Sequence, residues 1–181
     1  MDKFNNIKNL NLLLKNSILQ YKFAVGIRNY FVLNEDHDKI TSFPEIWTYQ
    51  KHTVNNKDLN ISINEENKAS ILFEHSSLYL MANQLDSILE IKFNDRFNHA
   101  DNSIKNLSII TRVIRNAFAH NPFNPKWLFR KKFKNKLFKI ENIIELNTNE
   151  LENKPVKRKD YGGPLSILLM ANFALDIIES N

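Results

Sequence analysis

The chain has 181 residues, of which 43% are hydrophobic and 25% are charged, and these values favour one globular domain over a disordered segment. Its sequence contains no cysteine, which excludes disulfide bonds, thiolate catalysis and zinc sites built on sulfur. The formal net charge of +5 permits attraction to phosphate groups, but this surplus is too small to establish nucleic-acid binding by itself.

The N-terminal half of the sequence is predicted to form two long helices separated by an irregular stretch. Apolar residues recur every three or four positions between Ile7 and Leu33, which is the period of an amphipathic helix. The period is lost over residues 34–64, where turn-forming residues dominate, so we expect a long excursion between helices there. The second helix is predicted to be capped by Asn64 and to end near Phe93.

A third helix is predicted to start at a cap formed by Asn102 or Ser103. It is expected to end just before Pro122, because the residue that precedes a proline avoids helical backbone. Ile109 and Val113 give this helix a second, partly apolar side in addition to its main apolar stripe. That side suits either contact with a partner subunit or a place at the centre of a bundle, and the sequence leaves both open.

The C-terminal third of the sequence is predicted to contain a small β-hairpin, inserted at residues 127–146, and one more helix. The two strands are expected at Trp127–Phe133 and Leu137–Leu146, where hydrophobic residues alternate, with a turn at residues 134–136. The last helix is predicted for Leu165–Glu179, after a turn that contains two glycines.

These elements predict a single domain over residues 1–181. The expected fold class is mainly α, a helical bundle with a small β-hairpin after the third long helix. Its core is expected to contain Leu14, Ile18, Tyr21, Leu78, Leu85, Leu107, Ile114, Phe118, Leu168 and Phe173.

The cellular location and the absence of a cofactor are inferred from what the sequence lacks. The N-terminal residues do not resemble a signal peptide, and the most apolar window, residues 165–178, is interrupted by Ser166, Asn172 and Asp176. We therefore expect a cytoplasmic protein that has no membrane partner. The five histidines show no ligand spacing, so we expect neither a metal nor another cofactor.

One short motif carries a functional signal. Residues Arg115–His120 read Arg-Asn-Ala-Phe-Ala-His and lie at the end of the predicted third helix. The motif resembles the Arg-x-x-x-x-His signature of HEPN domains, helical bundles of prokaryotic toxin and antiphage systems, many of which are metal-independent ribonucleases. The resemblance implies a HEPN-like bundle that forms a homodimer around an RNA cleft, with an antitoxin-like protein as a further partner. It also implies that Arg115, Asn116 and His120 are the catalytic residues.

The chemistry of these three residues agrees with RNA cleavage that needs no metal. A base must deprotonate the 2′-hydroxyl, and a cation must stabilise the phosphorane. His120 can be the base, Arg115 can bind two phosphate oxygens, and Asn116 can orient the phosphate or the imidazole. Arg115 and His120 point about 140° apart on an ideal helix, so we expect them to converge through a second subunit or a helix distortion. The C-terminus of a helix also favours the imidazolium, which suits a general acid.

A basic segment follows the motif. Residues 130–139 combine six cations with two aromatic residues, a composition that can track phosphates and stack bases. The candidate RNA-binding residues are Arg112, Arg130, Lys131, Lys132 and Lys134. The alternative interpretation is that the lysines cover the solvent face of the hairpin and protect its edge.

Three functions therefore remain open from the sequence. The first is a HEPN-like endoribonuclease that acts as a toxin or antiphage effector. The second is a non-catalytic HEPN-like interaction or dimerisation module, in which His120 bonds the last carbonyls of its helix and Asn116 bridges to a loop. The third is a nucleic-acid-binding protein without chemistry.

Overall fold

The computed structural model describes residues 3–33, 46–49, 51–55, 57 and 60–180. Within these ranges the chain is mainly helical, as predicted, and contains four long helices. They are α1 (Lys3–Leu33), α2 (Ile63–Lys92), α3 (Asn102–Ala119) and α4 (Gly163–Ser180). α1 packs along α2, α2 packs on α3, and α4 contacts both α1 and α2.

Two small antiparallel hairpins accompany the helices. β1 (Ile46–Tyr49) pairs with β2 (His52–Asn55), and β3 (Leu137–Ile140) pairs with β4 (Ile144–Asn147). The first hairpin lies inside the predicted excursion at residues 34–64, for which the sequence suggested only turns and loops. The structure tests the rest of that prediction only in part, because residues 34–45, 50, 56, 58 and 59 lie outside the described residues.

The N-terminal caps of α2 and α3 differ from the predicted ones. α2 is capped by Ser62 and not by Asn64: the Ser62 hydroxyl accepts a hydrogen bond from the Glu65 backbone at 3.2 Å, and the Glu65 carboxylate accepts one from the Ser62 backbone at 2.7 Å. This reciprocal pair is a capping box, which satisfies two donors at once. α3 is capped by Asp101, whose carboxylate accepts from the Ser103 backbone at 2.7 Å.

The predicted hairpin at residues 127–146 is displaced along the chain. Trp127–Phe133 does not form a strand: its first part is extended and pairs irregularly with residues 153–155, and its last three residues form a 3₁₀ turn. The predicted second strand, Leu137–Leu146, instead supplies both strands. The chain reverses near Asn142, which has a φ of 58°. Asparagine tolerates this left-handed backbone better than most residues, so the reversal occurs there.

α3 is buried on both of its apolar sides. Ile109 and Val113 are 3% and 1% exposed, so the second apolar side is covered by the chain's own core and is not a partner surface. Of the predicted core residues, Leu168 and Phe173 on α4 are only partly buried, because that helix is apolar on most of its faces. The buried ones are Leu14, Ile18, Tyr21, Leu78, Leu85, Leu107, Ile114 and Phe118.

α4 lies in the one described segment that is long and apolar enough to cross a membrane. The segment Arg158–Ser180 has a mean hydropathy of 1.4 in its most apolar window, so its length and composition alone would allow it to cross a membrane. In the structure Ile167, Ala171 and Ala174 of this helix are buried in the bundle core. The cytoplasmic location and the absence of a membrane partner stay predictions.

Candidate functional site

The polar site is built where α2 faces the C-terminal half of α3. Asp86 of α2 is 3% exposed and is surrounded by three arginines. Its Oδ1 lies 2.9 Å from Arg96 Nη1 and 3.0 Å from Arg112 Nε, and its Oδ2 lies 3.8 Å from Arg115 Nε. A single buried carboxylate therefore holds together cations from α3 and from the loop between the two helices.

Burial and charge act in opposite directions on these arginines. Burial lowers the pKa of the Arg96 guanidinium, and the neighbouring Asp86 carboxylate opposes this shift. Arg96 also donates to the Asp86 backbone carbonyl at 2.5 Å and to Glu90 at 3.4 Å. These contacts stabilise a charge that would otherwise be costly to bury.

Arg115 is positioned by neighbours on both helices. Its Nε donates to Asn83 Oδ1 at 3.1 Å, and its Nη1 donates to Asn116 Oδ1 at 3.3 Å. The side chain is 31% exposed, and its Nη2 makes no hydrogen bond with any described residue. Arg115 is thus held in place while one face of its guanidinium stays open to a ligand.

His120 lies at the C-cap of α3 and is exposed. Its ring lines a cavity of about 260 Å³ together with Asn121, Asn124 and Lys126. Among the described residues it makes no hydrogen bond or ion pair, so the bonds to helix carbonyls that the non-catalytic interpretation requires are not present. The helix ends here because Asn121 folds into a turn, with its Oδ1 accepting from the Phe123 and Asn124 backbones.

The structure brings two of the three motif residues into contact. Arg115, which would point away from Asn116 on an ideal helix, turns its Nη1 toward Asn116 Oδ1. Asn116 and His120 are four residues apart and so lie on the same side of α3. Among the described residues His120 bonds neither of them, so the convergence of Arg115 and His120 stays a prediction.

The predicted RNA-binding residues are only partly brought together. Lys132 Nζ lies 5.1 Å from the centre of the Phe97 ring, and Arg112 Cζ lies 5.8 Å from the same ring. Both cations use the electron-rich face of one aromatic residue, which joins the end of α3 to the basic segment. Lys132 is exposed.

The other three candidate RNA-binding cations, Arg130, Lys131 and Lys134, do not lie over the Phe97 ring in the described structure. Arg130 and Lys131 are exposed and form no ion pair with any residue that the structure describes, whereas Lys134 pairs with Glu152 at 3.2 Å. Arg130 and Lys131 were predicted to lie in the strand Trp127–Phe133, but they belong to the start of the 3₁₀ turn, and Lys134 follows the end of that turn.

The sequence analysis missed the residues that organise this site. Asn83, Asp86 and Glu90 are spaced by three and four residues, so they form one polar row on α2. Asp86 is buried in that row, in a stretch that also contains the buried Leu85, Ile88 and Leu89, and such a carboxylate needs a cationic partner. A carboxylate in an apolar stretch was therefore the sequence signal that could have identified this row. Arg112 and Arg115 of α3 were the candidate partners of that carboxylate.

No metal centre accompanies the site within the described residues: they contain no group of three or more histidine, aspartate or glutamate side chains that could hold a metal ion. Comparisons with protein-family models, with curated proteins and with solved structures found no match. The candidate site is therefore defined by its own residues. It consists of the partly exposed Arg115, the Asn116 side chain to which Arg115 donates, and the exposed His120 at the end of α3.

Proposed function

We propose that the chain is a HEPN-like, metal-independent endoribonuclease. The observation that carries the proposal is the exposed His120, one helical turn after an asparagine that accepts a hydrogen bond from Arg115. A base with free ring nitrogens and a cation with an unused donor are both required for RNA transesterification, and the motif supplies one of each.

In the proposed reaction His120 removes the proton of the 2′-hydroxyl, and the 2′-oxygen attacks the adjacent phosphorus. The bond between phosphorus and the 5′-oxygen breaks, which leaves a 2′,3′-cyclic phosphate and a 5′-hydroxyl. An imidazolium returns a proton to the departing 5′-oxygen. Arg115 stabilises the extra negative charge on the phosphorane oxygens, and Asn116 keeps the guanidinium in position.

The RNA is proposed to follow the cations that continue from the motif. Arg112 and Lys132 flank Phe97, and the exposed Arg130 and Lys131 extend the strip away from α3. Cations in such a strip suit a single strand, because they can bind its successive phosphates.

A homodimer is proposed to complete the site. Ile109 and Val113 are buried, so the contact would use the exposed end of α3, around Ala119 and His120. A two-fold axis there would set the two motifs side by side and let one histidine act as base while the other acts as acid.

One observation favours a second candidate, a non-catalytic interaction module that can pair with an antitoxin-like protein. Arg112 and Arg115 both contact Asp86, so the arginines of the motif face also hold α2 against α3. In this alternative the exposed end of α3 is a protein contact, and the motif does no chemistry.

The two candidates are separated by cleavage of a fluorescent single-stranded RNA in EDTA. We expect the wild type to cut the RNA and the His120→Ala and Arg115→Ala variants to lose at least 100-fold in rate, in the range of a lost general base. Lys68→Ala removes an exposed cation of α2 and should keep the wild-type rate. Equal rates for the wild type and His120→Ala would remove the catalytic assignment, and a wild-type chain that cuts no RNA would favour the interaction module.

A further inference from the structure

A second group of titratable side chains lines a cavity that the proposed ribonuclease does not use. The cavity has a volume of about 210 Å³ and lies between α1, α2 and the 3₁₀ turn at Arg158–Tyr161. Its polar lining consists of Arg28, Glu74, His75, Arg158 and Tyr161.

The charges of this cavity leave one cation in excess. Glu74 is 4% exposed, and Arg158 satisfies it with two parallel hydrogen bonds, from Nε at 3.0 Å and from Nη2. Arg28 forms no ion pair with a described residue and donates to Asn67 Oδ1 at 2.7 Å. Burial, and then the charge of Arg158, lower the pKa of Arg28, and the Glu74 carboxylate opposes this shift.

The neutral groups of the cavity offer both donors and an acceptor. His75 Nδ1 lies 3.1 Å from the Pro122 carbonyl, which can only accept, so this nitrogen carries a hydrogen. Burial lowers the pKa of His75 and favours the neutral ring, whose Nε2 is then an acceptor. Burial also raises the pKa of Tyr161, which keeps its hydroxyl protonated as a donor.

We propose that this cavity binds a small phosphorus oxyanion, either inorganic phosphate or the terminal phosphate of a phosphomonoester. The Arg28 guanidinium and the Tyr161 hydroxyl donate to its oxygens, and a P–OH group donates to His75 Nε2. The cavity is smaller than the roughly 300–1,000 Å³ of sites that enclose drug-sized ligands, so only the phosphate group itself is enclosed. The proposal does not depend on ribonuclease activity.

Isothermal titration of the full chain with inorganic phosphate, at constant ionic strength, tests the proposal. We expect binding to the wild type and at least 10-fold weaker binding to Arg28→Gln, since this removes the one cation of the described cavity lining that forms no ion pair. Lys22→Gln removes a cation from an exposed position on the same helix and should bind normally. Arg115→Ala should also bind normally, because the motif lies outside this cavity. Equal binding by wild type and Arg28→Gln, or loss of binding in Arg115→Ala, would overturn the proposal.

A second readout titrates the wild-type chain and needs a variant only for assignment, in case Arg28→Gln does not fold. The ring protons of His75, assigned in NMR spectra through His75→Gln, are titrated with and without phosphate. A bound anion should raise the His75 pKa, and an unchanged pKa at saturating phosphate would overturn the proposal. A dinucleotide with a 3′-phosphate that binds more tightly than inorganic phosphate identifies an RNA end as the ligand, and weaker or equal binding identifies free phosphate.

Discussion

Replacing Asp86 by asparagine removes the charge that organises the polar site while it keeps the size of the side chain. The carboxylate lies 2.9 Å from Arg96 and 3.0 Å from Arg112, and the Arg96 side chain is 4% exposed. Breaking a buried ion pair from one side costs about 3–5 kcal/mol, because the remaining charge stays buried without a partner. Arg96 keeps the Asp86 backbone carbonyl and the Glu90 carboxylate, so the lower end of that range applies.

We therefore expect Asp86→Asn to lower the free energy of unfolding by about 3 kcal/mol, measured by urea denaturation at pH 7 with an unchanged slope. Glu90→Gln is the matched control: it removes a carboxylate from the same row of α2, but its side chain is 65% exposed. Such a change should cost at most about 1 kcal/mol. If the two variants are equally stable, the buried carboxylate is not what holds α2 to α3.

Three further predictions concern the core, the pH response and the RNA path. Phe118→Ala should cost about 3–5 kcal/mol in urea denaturation, because Phe118 is 1% exposed and its removal leaves a cavity; a cost under about 1 kcal/mol would contradict its place in the core. Burial lowers the pKa of His75, so the unfolded chain binds its proton at a higher pH than the folded chain does. The wild type should therefore lose stability relative to His75→Gln as the pH falls below about 6.5, and a difference that stays constant with pH would exclude this effect. Charge reversal at Lys131 and Lys132 should weaken RNA binding and reduce its salt dependence in fluorescence titrations, whereas an unchanged salt slope would remove both residues from the RNA path.

The helices could be predicted from the sequence because their signals are local. The apolar period of α3 and the proline at position 122 correctly predicted that the motif lies on a helix and at the C-terminal end of it. They also correctly predicted that Phe118 is buried. The cap of α2 could also have been found, since Ser62 and Glu65 have the spacing of a capping box and Asn64 does not have such a partner.

The errors arose where a pattern has two structural explanations. Trp127 and Phe129 alternate with less buried neighbours, as in a strand, but the alternation reflects extended backbone whose hydrogen bonds go to a loop. Alternation reports which side chains are buried, and it does not reveal whether a second strand lies alongside.

The polar site itself depends on packing between distant parts of the chain. Asp86 and Arg112 are separated by 26 positions, and their contact follows from the way α2 packs on α3. The sequence identified the α3 side of this contact through the motif. Which residues of α2 meet these arginines follows from how the two helices pack, and no local sequence pattern specifies that packing. For this reason Asn83 and Asp86 were not assigned to the site from the sequence.

The most direct test of the central claim is the chemical identity of the ends produced when the chain is incubated with single-stranded RNA in EDTA. We expect fragments that carry a 2′,3′-cyclic phosphate and a 5′-hydroxyl. His120→Ala should form no such fragments, and RNA with 2′-deoxy sugars at the cleavage position should stay intact. Intact RNA after incubation with the wild-type chain, or the same fragments from His120→Ala at the wild-type rate, would contradict it.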